Sequence, residues 1–321
     1  MDSLSPQPGA YEAQHAQANR AELVARIAQA TRDDGRVEPL NGLYLFRASS
    51  PTELLHSVYT PAFCVIAQGS KEVFLGEERY QYDPAHYLLT TVELPVVSQI
   101  REASKEQPYL SFRLQLDPAL VGSVLVEADL PSPRGEGEVK AIDVSPLDAS
   151  LLDAVVRLIR LLECPTDARV LAPPVMREII YRLLIGAQGA RLRHIAVLGG
   201  DTHRIAKVVD LLRKDFREPL RVESIAQALG MSISGLYHQF KAVTAMSPLQ
   251  FQKRLRLQEA RRLMLGEHLD AASAGSRVGY DDAAHFNREY KSVFGLPPVR
   301  DVERLRQATS RSSLREAARG Q

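Results

Sequence analysis

The chain has 321 residues, enough for two domains with separate cores, and its 45% apolar and 25% charged composition excludes general disorder. It contains no apolar run of membrane-spanning length and no basic-then-apolar secretory leader, and Cys64 and Cys164 are too few and too isolated for a disulfide framework or a thiolate metal site. The net charge of +1 hides an asymmetry: residues 201–321 hold 21 Lys+Arg against 14 Asp+Glu, or +7, leaving 19 against 25, or −6, for residues 1–200. These features predict a cytoplasmic protein with free thiols, no membrane contact, no metal and no cofactor, whose carboxy-terminal third binds a polyanion.

Residues 1–19 are polar and rich in Pro, Gln and Ala, and read as a flexible tail. A short helix is expected over Arg20–Ala30, through Leu23, Val24 and Ile27, ending before the turn Asp33-Asp34-Gly35. From Leu40 to about Val126 the chain becomes a series of short β-like runs, LYLFRA, FCVIAQG, KEVFLG, ERYQYD, HYLLTTV, PVVSQI and YLSFRLQL, separated by turn signals at Gly69-Ser70, Gly76-Glu77 and Asp83-Pro84. The runs are too closely spaced for crossover helices, so residues 20–131 are expected to form a cupin-like β-barrel, with flanking helices, able to enclose a small ligand whose lining residues the sequence does not name. A metal-dependent enzyme of this shape needs converging His and carboxylate ligands; His56 and His86 are isolated, and no catalytic residue is assigned.

Residues 132–198 read as a linker and helical dimerisation region. After SPRGEGEVK (132–140), Ser145-Pro146 has the form of a helix start, with apolar positions Leu151, Leu152, Val155, Leu158, Ile159 and Leu162 before a stop at Cys164-Pro165. A second helix is expected after Pro173-Pro174, through Val175, Ile179, Leu183 and Leu184, ending at Gly186. Large apolar residues left over after one face is covered point to a homodimer.

The remainder, 201–300, is expected to be all-α, followed by a polar tail over 301–321. DTHRIAKVVDLLRKDF (201–216) carries Ile205, Val208, Val209 and Leu212 on one side. Next, REPLRVESIAQALGMSISGLYHQFKAVTA (217–245) has the grammar of a helix-turn-helix: small Ala226 permits a close crossing, Gly230 makes the turn, Ser232 caps the second helix, and Leu236 and Phe240 form its inner face. AASAGSRVGYDDAAHFNREY (271–290) repeats the pattern, with Gly275, turn glycine Gly279, Phe286 and Tyr290. Ser247-Pro248 starts a long helix between them, to about Leu265. Its charge run of Lys253, Arg254, Arg256, Arg261 and Arg262 is explained most economically by phosphate proximity.

Residues 220–298 closely resemble the AraC/XylS family of bacterial transcriptional regulators, through SIAQALGMS, LYHQFKAVTAMSPLQFQKRLRLQEARRLM and RVGYDDAAHFNREYKSVFGLPP. VYTPAFCVIAQGSKEVFLG more weakly resembles the family's effector and dimerisation region. The resemblance implies an α+β two-domain protein with a double helix-turn-helix domain, acting on double-stranded promoter DNA with RNA polymerase as a further partner, and responding to a small-molecule effector as an activator. It also implies that each recognition helix enters the major groove.

Side chains pointing away from the inner faces are then the base-reading candidates: Ser234, Tyr237 and His238 in the first unit, and Ala283, His285, Asn287 and Arg288 in the second. Arg288 suits guanine acceptors, Asn287 adenine and Ala283 a thymine methyl, while Lys241, Arg254 and Lys291 suit phosphates. Three positions depart from the family pattern. His238 stands where arginine is frequent, Ala284 where serine is common, and Gly275 where alanine is usual; helix propensity alone sets the cost of Gly275 at roughly 1 kcal/mol. The other classes consistent with the sequence are a jelly-roll enzyme with a DNA-binding appendage and a protein that controls another regulator by pairing.

Overall fold

A computed structural model describes residues 8–130, 140–196 and 201–317, so the linker expected at 132–140 lies outside the described residues except for Lys140. The chain divides into two compact units, one formed by the chain up to Ala206 with His238–Ala245, the other by Lys207–Tyr237 with the chain from Met246 onward.

The first unit begins with α1 (Pro8–Ala30), whose helix extends into the segment expected to be a tail. Nine strands follow: β1 (Gly35–Leu40), β2 (Leu43–Ala48), β3 (Leu55–Tyr59), β4 (Ala62–Gln68), β5 (Ser70–Leu75), β6 (Glu78–Tyr82), β7 (His86–Thr90), β8 (Leu94–Glu102) and β9 (Tyr109–Gln115). After α2 (Pro118–Glu127), capped by Asp117, comes β10 (Ile142–Pro146). The seven runs read from the sequence are all strands, and Gly69 and Gly76 take positive φ at two of the turns between them.

The expected barrel is not formed. The strands make two open sheets, in the orders β1-β2-β9-β4-β7-β10 and β3-β8-β5-β6, with no pairing among the described residues that closes either. Closure requires the edge strands of one sheet to pair with each other. Here β1 is largely exposed at one edge, and the six-stranded sheet is instead covered by helices. Leu43, Leu45, Phe63, Val65, Leu89, Leu110, Phe112 and Leu114 share a core with Leu23 and Ile27 of α1 and with Leu151, Leu152, Val155 and Ile159. Each such buried side chain contributes about 1.5–3 kcal/mol, so this helix-on-sheet layer holds the unit together. Alternation in a strand names its two faces, not what covers them, which is why the sequence alone favoured closure.

Two helix starts also differ. Ser145-Pro146 ends β10, where Pro146 lies on an edge strand and its missing N–H breaks no ladder bond. Helix α3 (Ala149–Arg160) begins three residues later, with Asp148 Oδ1 accepting from Leu151 N at 2.8 Å. Helix α4 (Pro165–Ile185) starts eight residues before Pro173, with Cys164 at its N-cap and Pro165 in its first turn; Pro173 and Pro174 lie inside it, on its exposed side. The short α5 (Gly189–Ala196) follows.

The carboxy-terminal region is all-helical: α6 (Asp201–Lys214), α7 (Val222–Ala228), α8 (Ile233–Thr244), α9 (Pro248–Gly266), α10 (Ala271–Arg277), α11 (Ala283–Phe294) and α12 (Pro298–Ala317). Ser247 and Gln250 form a reciprocal capping box at the start of α9, satisfying two otherwise orphaned donors. Helix α12 occupies most of the expected polar tail. Among the described residues no helix is long and apolar enough to cross a membrane.

Candidate functional site

The two turn-helix units share a hydrogen-bond pattern. In the first, Gly230 N donates to Gln227 O at 3.1 Å and Met231 N to Ala226 O at 2.9 Å; in the second, Gly279 N donates to Ser276 O at 3.1 Å and Tyr280 N to Gly275 O at 3.0 Å. These bonds close the last turn of α7 and α10 around a left-handed glycine, at φ +64° and +91°. Ser232 Oγ then accepts from Gly235 N at 3.1 Å, and Asp282 Oδ1 from Ala284 N at 2.8 Å, which starts α8 and α11. The sequence repeat is therefore a repeat of backbone geometry. Ala226 and Gly275 are both buried at the crossings, and Leu236, Phe240, Phe286 and Tyr290 are buried on the inner faces of the second helices.

The outward side chains lie where the periodicity placed them. Ser234, His238 and Lys241 are exposed on α8 and Tyr237 is half-buried; Ala283, His285, Asn287, Arg288 and Lys291 are exposed on α11. Several of them are engaged locally: Asn287 Nδ2 donates to Ala283 O at 2.9 Å, His285 Nε2 lies 3.7 Å from Glu289 Oε1, and Ser234 Oγ lies 3.3 Å from Ser232 Oγ. Arg288 forms no ion pair among the described residues and projects freely.

The charge run of α9 has a different use from the one expected. Arg256 donates to the carbonyls of Phe216 at 2.6 Å, Gly279 at 2.9 Å, Arg217 at 2.9 Å and Glu218 at 3.0 Å, so one guanidinium joins the chain entering the first turn-helix unit to the turn of the second. Arg261 forms a two-pronged pair with Asp301 at 2.8 and 2.9 Å, and Tyr290 donates to the same carboxylate at 2.9 Å. Arg262 pairs with Glu259 and Glu267, and Lys253 with Glu289. Arg254 is half-buried, and that burial pushes its pKa down. Most of the run is structural, a role that composition could not separate from phosphate binding because both favour arginine.

The β-rich unit contains a cavity of about 520 Å³ between its two sheets. On the six-stranded sheet, Tyr44, Arg113 and Cys64 stand directly opposite one another across β2, β9 and β4. The other sheet presents Tyr82, Lys71 and Ile100 in register across β6, β5 and β8. Tyr59, Tyr109 and Phe46 complete the aromatic wall. Tyr44 is flanked by two guanidiniums, with Arg36 Cζ 4.9 Å and Arg113 Cζ 5.4 Å from its ring centroid. His86 is engaged elsewhere, 2.7 Å from Asp83 in a turn. No signal in the sequence separated these lining residues from other strand positions, because neighbours across a sheet are set by register.

An AraC-type transcriptional regulator N-terminus model matches residues 39–191, and a helix-turn-helix domain model matches residues 225–304. The chain belongs to the AraC/XylS family. It is similar to the HTH-type transcriptional activator RhaS of Salmonella schwarzengrund, at 28% identity over 165 residues, covering 50% of this chain and 58% of that protein. RhaS of Salmonella agona is 31% identical over 166 residues, with the same coverage. The chain thus spans less than two thirds of the length of these relatives. Among solved structures it shares the fold of ToxT from Vibrio cholerae, with a TM-score of 0.54, 13% identity, and coverage of 81% of this chain and 97% of ToxT. ToxT has also been solved bound to an unsaturated fatty acid and to (E)-4-(8-methylnaphthalen-1-yl)but-3-enoic acid.

Proposed function

We propose that this family member is a sequence-specific DNA-binding regulator of transcription, acting as an activator, whose β-rich unit responds to a small molecule. The observation that carries this reading is the duplicated turn geometry at Gly230 and Gly279, each followed by a capped helix with an apolar inner face and an exposed polar outer face. Two such helices supply base-edge contacts, with Tyr237, His238, Asn287 and Arg288 as readers and Lys241 and Lys291 on phosphates. The name of the RhaS relatives supports activation, with RNA polymerase as the partner, and ToxT with its ligands supports a small-molecule site in this fold. The exposed Val170, Leu171, Tyr181 and Ile185 on α4 support a homodimer.

Genome-wide mapping of bound DNA, followed by anisotropy titrations on the recovered sites, tests the reading. The wild-type chain is expected to bind a recurring duplex sequence in a salt-sensitive manner, and the double variant Arg288→Ala, Tyr237→Ala to lose discrimination against scrambled sequence. Unchanged discrimination in that variant would mean that the reading face is elsewhere, and no preference by the wild type would favour control by pairing with another regulator.

A further inference from the structure

The lining of the β-rich cavity is unbalanced in charge. Arg36, Lys71 and Arg113 all face it, no Asp or Glu is among the residues that line it, and none of the three cations forms an ion pair among the described residues. The strand register explains where the carboxylates went. Along β5 the side chains alternate, so Lys71 faces inward while Glu72 is buried on the opposite side of the sheet, paired with Arg79 and Arg101.

The polar groups are graded in depth. Arg36 is exposed and Arg113 half-buried, and Arg113 is anchored on the carbonyl and hydroxyl of Thr60. Lys71 stands farther in, between the buried Tyr82 and Ile100 and 5.4 Å from the centroid of the Tyr59 ring. Burial works against its charge, but the electron-rich oxygens and sulfur of Tyr59, Tyr109 and Cys64, with a hydrogen bond to Tyr59, outweigh this and hold its pKa above the ordinary lysine value. Burial also raises the pKa of Tyr82 and Tyr109, so both hydroxyls remain protonated donors. The Tyr59 hydroxyl is itself buried, and apart from the neighbouring Lys71 ammonium it has no hydrogen-bond partner among the described residues. A cation unpaired with any carboxylate, whose only nearby hydroxyl has no other partner, in a cavity of ligand size, is a costly arrangement for an empty core and a useful one for a charged guest.

We infer that this cavity takes a small organic carboxylate, its anionic head on Lys71 and the Tyr59 hydroxyl and its flat apolar body against Tyr44, Phe46 and Ile100. Arg36 and Arg113, nearer the mouth, attract the anion and stack with Tyr44 beside its body. The inference rests on the reading of the cavity as the effector site, and it adds the sign of the ligand's charge and the group that receives it.

The test is calorimetry on the full chain with three probes of one shape: 1-naphthaleneacetate, its amide, and 1-naphthylmethylammonium. The acetate is expected to bind at least about tenfold tighter than the amide, with the ammonium weakest. Lys71→Met is expected to reduce the acetate–amide difference to less than about threefold, and Lys71→Arg to retain most of it. Thermal unfolding of each variant confirms that the fold survives, and Tyr59→Phe, which removes only the hydroxyl, serves as a second variant and should weaken the acetate alone. If the amide or ammonium binds as well as the acetate, or Lys71→Met leaves the preference intact, the charge assignment is wrong while the cavity stands as an effector site. If none of the three binds, the effector-site reading falls with it.

Discussion

The carbonyl oxygen of Arg217 lies 2.2 Å from the place a β-carbon would take on Gly279, so the turn of the second turn-helix unit is pressed against the backbone that leads into the first. Gly230 has a similar left-handed φ, yet nothing lies within 4 Å of its β-carbon position. The two turn glycines, equivalent in sequence, are unequal in structure. Gly230→Ala should cost about 1–2 kcal/mol, the ordinary penalty of a left-handed residue with a side chain. Gly279→Ala should cost about 3 kcal/mol or more, because a backbone clash is added to the same penalty. Urea unfolding of the two variants decides this, and equal midpoints would refute it.

Gly275 predicts a reversal of a sequence rule. Helix propensity says that Gly275→Ala should stabilise α10 by about 1 kcal/mol. A β-carbon there would stand 3.0 Å from Phe286 Cγ and 3.1 Å from Cδ1, and Phe286 is wedged between Tyr280 and Tyr290 at centroid distances of 5.3 and 5.6 Å. The ring has little room to yield. The substitution should therefore give no gain, and a loss of up to about 2 kcal/mol where the aromatic cluster cannot shift. A rise in the urea midpoint of Gly275→Ala would show that the cluster is softer than its packing implies.

Much of this was legible in the sequence where the signal is local. Turn glycines, the caps at Ser232 and Ser247, the inner faces at Leu236, Phe240, Phe286 and Tyr290, and seven strands all depend on neighbours within a few residues. What was not legible depends on distant partners. Whether a sheet closes, which strand residues share a cavity, and whether an arginine in α9 faces a phosphate or a carbonyl are all settled by chain segments far apart. The same limit explains the misplaced start of α3: Ser145 and Asp148 are both acceptable caps, and pairing of β10 with β7 selects the second.

Asp301 is completely buried and receives Arg261, Tyr290 and, at 3.3 Å, Arg304. It ties α9, α11 and α12 together at one carboxylate. Asp301→Ala should cost about 3–5 kcal/mol, because it strands a buried guanidinium. Combining it with Arg261→Met should cost less than the sum of the two single changes, since the second removes the charge that the first leaves unpaired. A double-mutant cycle by urea unfolding measures the coupling, and strict additivity would mean that the two residues act independently.

Glu22 of α1 bonds Arg160 of α3 at 2.7 and 2.5 Å and Arg26 at 2.6 Å. The hydrogen bond from Arg160 is the largest influence on its carboxyl, and with Arg26 it outweighs burial and pushes the pKa down to about 2. A depressed carboxyl stabilises the fold above its unfolded pKa of about 4.3 and loses that contribution as pH falls toward the folded value. The group is near the surface, so screening leaves about 1 kcal/mol or less. Glu22→Gln should lower stability at pH 7 by that amount and converge with the wild type as pH falls from about 4.3 toward 2, as followed by urea unfolding over that range. A constant difference across the range would remove the ionised carboxylate as the cause.

Arg256 links the two turn-helix units mechanically, and under the proposed function its loss should show in DNA geometry more than in affinity for one half of a site. Its donors to Phe216, Arg217, Glu218 and Gly279 fix the lead-in to α7 against the turn before α11. Hydrogen bonds from a charged group contribute about 1.5–3 kcal/mol each when isolated, and four from one side chain share a smaller total, so Arg256→Ala should cost about 2–4 kcal/mol of stability. Lysine cannot reproduce the planar fork and should rescue little of it. If the chain binds a two-part duplex site as proposed, the wild type should prefer one spacing between the parts, because each reader meets the groove in a set orientation. Arg256→Ala should flatten that preference across insertions of one to three base pairs, roughly, while leaving isolated half-site binding within about threefold. Anisotropy titrations on a spacing series separate the outcomes. A uniform loss at every spacing would reduce Arg256 to a stabilising residue, and an unchanged profile would mean that the readers are held in register by other contacts.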